Sequence, residues 1–94
     1  MNLKEFHTDD KPLQVKKIFS PTEGVSVIAI KGDSQLKEHK TNIPALLVCV
    51  TGEVVFENEE GVKEKLSSGD FVEIIPDVKH WLIANKDSNL LLIK

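Results

Sequence analysis

From residue 13 onward the chain is cut into short strand-like runs, most of them apolar and 35–40 polar and extended, by turn-forming residues. The runs fall at 13–19, 25–30, 35–40, 45–50, 53–57, 62–66, 71–75, 81–84 and 90–93. Between them stand Ser20-Pro21-Thr22-Glu23-Gly24, Gly32-Asp33, Asn42-Ile43-Pro44, Thr51-Gly52, Asn58-Glu59-Glu60-Gly61, Ser67-Ser68-Gly69-Asp70, Pro76-Asp77 and Asn85-Lys86-Asp87-Ser88-Asn89. Runs such as Val25-Ser26-Val27-Ile28-Ala29-Ile30 are rich in β-branched residues, which suit a pleated surface. Nowhere does an apolar face recur at the helical period. Turns spaced about 8–12 residues apart predict an all-β chain of about nine antiparallel strands, closed as a sandwich or barrel.

At 94 residues the chain is one small domain. Residues 1–12 are polar and are expected to form a loosely held arm, with His7 in solvent, and 13–94 to form the domain. No apolar run approaches the about 18 residues of a membrane span. The opening Met1-Asn2-Leu3-Lys4-Glu5 lacks the order of a secretion signal, so a cytoplasmic location is expected. The single cysteine, Cys49, rules out an internal disulfide framework. The net charge is −3, and every basic residue is lysine. A nucleic-acid reader needs a basic stripe, usually with arginine, so no nucleic-acid partner is expected.

Three runs, 45–50, 81–84 and 90–93, are apolar at both parities. An antiparallel strand with one wet face alternates instead. Some second surface must therefore cover their outer sides, and no helix is available to do so. A homodimer that packs these faces together is the expectation, with a sandwich that covers its own strands as the alternative.

The most informative stretch is Gly69-Asp70-Phe71-Val72-Glu73-Ile74-Ile75-Pro76-Asp77-Val78-Lys79-His80-Trp81. A Gly-Asp turn opens a strand, Pro76-Asp77 ends it, and a histidine starts the next. With the region from Gly32 to Gly52, this stretch resembles the two motifs of small single-domain cupins, the double-stranded β-helix or jelly-roll barrels. The first motif runs Gly, five residues, His-x-His, three or four residues, Glu, six residues, Gly. Anchored on Gly52, its two His slots hold His39 and Thr41, and its Glu slot holds Ala45; Gly32 sits one residue further upstream than the motif expects. The second motif, anchored on Gly69, places its His slot on His80; its Pro, Gly and Asn slots hold Ile75, Asp77 and Ala84.

The resemblance implies a jelly-roll barrel with an interior pocket. In cupins two histidines, a glutamate and a later histidine hold a divalent metal. Here His39 and His80 alone remain of those four. A catalytic transition metal usually has three or more protein ligands. Glu73 is the candidate third ligand if it faces inward, although an outward, solvated side chain is expected. Cys49 shares its parity with Ala45 and Leu47 and is expected to face the interior, as packing or as a pocket group. Trp81 has the opposite parity to His80 and is assigned to the outer face.

Two functions follow. In the first, the barrel is a binding module in which His39, Thr41, His80 and Cys49 meet a small molecule, with the metal site reduced or absent. In the alternative, it is a small metalloenzyme of dioxygenase or isomerase type, with His39 and His80 holding zinc, iron, manganese or nickel. A purely structural role ranks third.

Overall fold

The computed structural model describes residues 1–6, 10, 12, 15 and 17–94. His7 and much of the strand expected at 13–19 lie outside those residues; Val15 and residues 17–19 carry no strand. Among the described residues there are eight strands rather than about nine: β1 (Val25–Ile30), β2 (Gln35–His39), β3 (Ala45–Thr51), β4 (Glu53–Asn58), β5 (Lys63–Ser67), β6 (Phe71–Ile74), β7 (His80–Ala84) and β8 (Ser88–Ile93). They form two four-stranded antiparallel sheets, ordered β1-β8-β3-β6 and β2-β7-β4-β5. No helix among the described residues is long and apolar enough to cross a membrane.

The core lies between the sheets. Ala45, Leu47 and Cys49 of β3, Val72 and Ile74 of β6 and Leu90 of β8 face Val54 and Phe56 of β4, Leu66 of β5, and Leu82 and Ala84 of β7. Alternation along β4 fits this placement, since Val54, Phe56 and Asn58 are buried while their neighbours are partly exposed. The turns use residues that accept positive φ: Gly52 at 95°, Gly69 at 87°, and Asp33 and Asp77 at 63° each.

The doubly apolar β3 has its outer face partly covered from within the chain. Leu46 and Val48 stand in register with Ile93 and Leu91 of β8, and Val48 also with Phe71 of β6. Leu46, Val48 and Phe71 form a second buried cluster, against which Phe19 packs. At 2% exposure Phe71 is as buried as the main core. The start of the arm is held rather than loose. Asn2 bridges to Asp70, the Leu3 amide donates to the Gly69 carbonyl at 2.8 Å, and the Phe71 amide donates to the Met1 carbonyl at 2.8 Å. On the outer face of β1, Val25 and Val27 are 63% and 69% exposed, with no such cover among the described residues.

Candidate functional site

His39 and His80 meet because of an irregularity in one strand. Strands β2 and β7 pair Gln35 with Ile83 and Leu36 with Leu82, after which the register shifts so that His39 stands opposite His80. Without that shift Glu38 would hold the place. The extra residue in β2 is a β-bulge, and it turns His39 toward the side occupied by Leu36. The Pro76-Asp77 turn delivers His80 as the first residue of β7, between β2 and β4. The two imidazoles lie 4.1 Å apart, centroid to centroid, at an interplanar angle of 61°.

The two rings occupy different environments. His39 ends an edge strand and is exposed, whereas His80 is 3% exposed. The Phe56 ring stacks on His80 with centroids 5.8 Å apart. Burial lowers the His80 pKa below its ordinary 6.5; a backbone contact at Val78 acts in the other direction, and the nearby His39 and Lys94 add to the lowering. His80 is therefore neutral at pH 7. Its Nδ1 faces the Val78 carbonyl at 3.4 Å, and the His39 Nδ1 faces the Lys37 carbonyl at 3.1 Å. In the tautomer that carries its proton on Nδ1, each ring donates to that carbonyl and presents Nε2 as an acceptor.

Behind the pair lies a cavity lined by Ile28, Leu36, Leu47, Ile74, Leu82 and Leu92. Its volume is about 10 Å³, room for about one water molecule. The polar side chains in its lining are the two imidazoles, His39 exposed and His80 buried.

The remaining expected site residues lie elsewhere. Thr41 is absent from the cavity wall. Its hydroxyl donates to the Ile43 carbonyl at 2.7 Å, and its own carbonyl accepts the Asp77 amide at 2.8 Å. It thus ties the loop after β2 to the turn that precedes His80. Cys49 faces the core, as its parity required, but one step beyond the cavity, opposite Leu90, with its Sγ directed at the Thr51 and Gly52 carbonyls. Glu73 is exposed on the outer face beside Leu46. It stands outside the lining of the His39–His80 cavity. Trp81 points away from the cavity, and its Nε1 donates to Glu57 at 2.8 Å. Among the described residues no three His, Cys, Asp or Glu side chains come close enough to hold a metal ion together. Among the described residues the donor set is two imidazoles, fewer than the three protein ligands a catalytic metal centre usually has. Sequence reasoning missed Phe56, Leu36 and Ile28 as site residues. Phe56 was marked by the alternation of β4, but nothing local placed it beneath His80.

No protein-family model matches the sequence, and no curated protein matches it. Solved structures do. A conserved Streptococcus pyogenes protein of unknown function superposes with a TM-score of 0.70 at 16% identity, over 74% of this chain and 60% of that one. The cupin domain of Drosophila melanogaster CENP-C gives 0.68 at 22% identity, over 76% of this chain and 56% of that one. This chain thus spans less than two thirds of the length of either. A cupin superfamily protein from Desulfitobacterium hafniense gives 0.69 at 14% identity, over 100% of this chain and 87% of that one. Two facing antiparallel sheets in this order, together with these likenesses, show that the chain has the jelly-roll fold of cupin structures.

Proposed function

We propose that this cupin domain is a binding module that takes a small, neutral, hydrogen-bond-donating molecule at the mouth of the His39–His80 cleft. The observation that carries the reading is the pairing itself. Two imidazoles far apart in sequence, with ring centroids 4.1 Å apart, line an otherwise apolar cavity. Their free Nε2 atoms would accept from a hydroxyl or amide on the ligand. Ligand sites commonly place a few polar groups against an apolar wall in this way. Because the cavity admits about one water, the body of the ligand sits at the mouth, against Leu36 and Leu92, unless the rim moves.

The test is a set of nuclear magnetic resonance titrations with small alcohols, amides and phenols. Binding at this site perturbs the His39 and His80 ring resonances together and is lost in His39→Ala. A compound that raises the melting temperature of the wild type but not of the variant gives the same result, because selective binding to the native state stabilises it. Compounds that map to another surface would overturn the reading. So would near-stoichiometric metal in the purified protein that His39→Ala removes, which would favour the metal-dependent alternative.

A further inference from the structure

An exposed strand edge offers unpaired amides and carbonyls to any passing strand, and stable proteins blunt it with charge, bulges or cover. Three of the four edges here are blunted. The start of the chain pairs with the opening of β6, at Gly69, Asp70 and Phe71, through the Met1, Asn2 and Leu3 backbone, and the exposed Glu73 puts a charge further along it. Strand β5 carries the exposed Lys63, Glu64 and Lys65. Strand β2 is bulged and carries the exposed Lys37 and Glu38. Among the described residues, strand β1 has none of these devices. It reads Val-Ser-Val-Ile-Ala-Ile and pairs with β8 over six consecutive residues without a shift.

The backbone directions on β1 are fixed. Gly24 and Lys94 exchange both hydrogen bonds, at 3.0 and 2.8 Å. In an antiparallel ladder such pairs alternate, so Ser26, Ile28 and Ile30 also bond to β8. Val25, Val27 and Ala29 direct their amides and carbonyls to the free edge, where no described residue meets them. The side chains of Val25 and Val27 stand exposed on the outer face.

We propose that β1 pairs with β1 of a second copy of this chain, antiparallel, about a two-fold axis at Val27. The two four-stranded sheets then join into one of eight. Only odd-numbered residues present bonding groups, so odd residues must oppose odd residues, which leaves few registers. With Val27 opposite Val27, Val25 meets Ala29 within the strand, and the exposed Glu23 and Lys31, which flank it, come to the same end of the interface, twice over. A centre at Ile28 instead sets Val25 against Lys31 and Glu23 against Asp33, two like charges. A centre at Ser26 sets Glu23 against Ala29 and leaves Lys31 without its acid. The Val27 register alone matches apolar to apolar and acid to base at both ends. Like charges placed directly opposite destabilise strand pairing, so charge chooses among the three. A two-fold axis makes each contact occur twice, as an isologous interface requires.

The test is sedimentation of the full chain at micromolar concentration, where a dimer is expected. Val27→Lys sets two ammonium groups against each other across the axis and weakens association at least about tenfold. Val27→Pro removes an amide that bonds nothing in the monomer and has the same effect. Circular dichroism and the melting temperature establish that each variant is folded. Should either fail to fold, Glu23→Lys and Lys31→Glu, both outside the strand, carry the test. Each alone weakens the dimer several-fold, and the two together restore it. A wild-type monomer at these concentrations overturns the proposal. A dimer indifferent to Val27→Lys and to Glu23→Lys overturns it too, and a charge swap that fails to restore association overturns the Val27 register.

Discussion

The ring of Phe56 stacks on the imidazole of His80 at an interplanar angle of 28°, giving a titratable group an apolar floor. A protonated imidazole needs solvation that this floor cannot supply, which is why burial is the largest cause of its lowered pKa. The consequence is a pH dependence with a definite sign. The unfolded chain takes up the proton near 6.5, and the folded chain takes it up only at lower pH. Stability from this group is complete above 6.5 and is lost as pH falls from there through the folded pKa. The melting temperature should therefore drop between pH 7.5 and about 5.5, above the range where most carboxylates titrate. In His80→Phe, where an uncharged ring replaces the imidazole over Phe56, that drop should shrink. A His80 ring that titrates at or above 6.5 by nuclear magnetic resonance would refute the assignment.

Gly52 and Gly61 offer a controlled comparison. Their φ angles are nearly equal, at 95° and 89°. A β-carbon on Gly61 meets nothing within 4 Å, whereas one on Gly52 falls 2.5 Å from the Asp87 carbonyl oxygen and 2.7 Å from the Ser88 Cα. Ser88 also receives the Glu53 amide on its hydroxyl at 3.0 Å, so any shift there disturbs the start of β4. Gly61→Ala should cost only the left-handed strain, about 1–2 kcal/mol. Gly52→Ala should cost more than about 3 kcal/mol, because backbone must move. Urea unfolding of both variants checks this, and equal losses would contradict the packing described.

Most of the architecture could be read from the chain because turn residues and β-branched runs are local signals. The inward parity of Ala45, Leu47 and Cys49 followed from the two-residue period. The site was harder to read. His39 and His80 were paired through the resemblance of their spacing to two motifs, not through parity. Parity from Leu36 would have put Glu38 inward, and only the bulge brings His39 there. Thr41 occupied a ligand slot in the motif, yet its hydroxyl is taken up by a contact two residues away. The cover over Leu46 and Val48 from within the chain is not legible locally, for a physical reason. Phe19 and Phe71 reach that face from distant positions, and no periodicity within β3 reports them. The collapse of the cavity is likewise a property of how Ile28, Leu47 and Leu92 meet across two sheets, which no single run encodes.

Cys49 provides the last prediction. A thiol must ionise to react, and burial first, then the charge of Asp70, raises its pKa above the ordinary value. Its side chain is fully buried, opposite Leu90. Packing is then its role, and its chemistry is silent in the native state. A disulfide reagent at pH 8 should label the native protein on the order of 100-fold more slowly than the protein in urea, because reaction waits on opening of β3 between its neighbours. The same opening exposes the core, so the labelling rate should rise in Gly52→Ala, which strains the end of that strand, and stay nearly unchanged in Gly61→Ala. Labelling of the native wild type within about tenfold of the unfolded rate would mean that the thiol reaches solvent, and Cys49 would return as a pocket group.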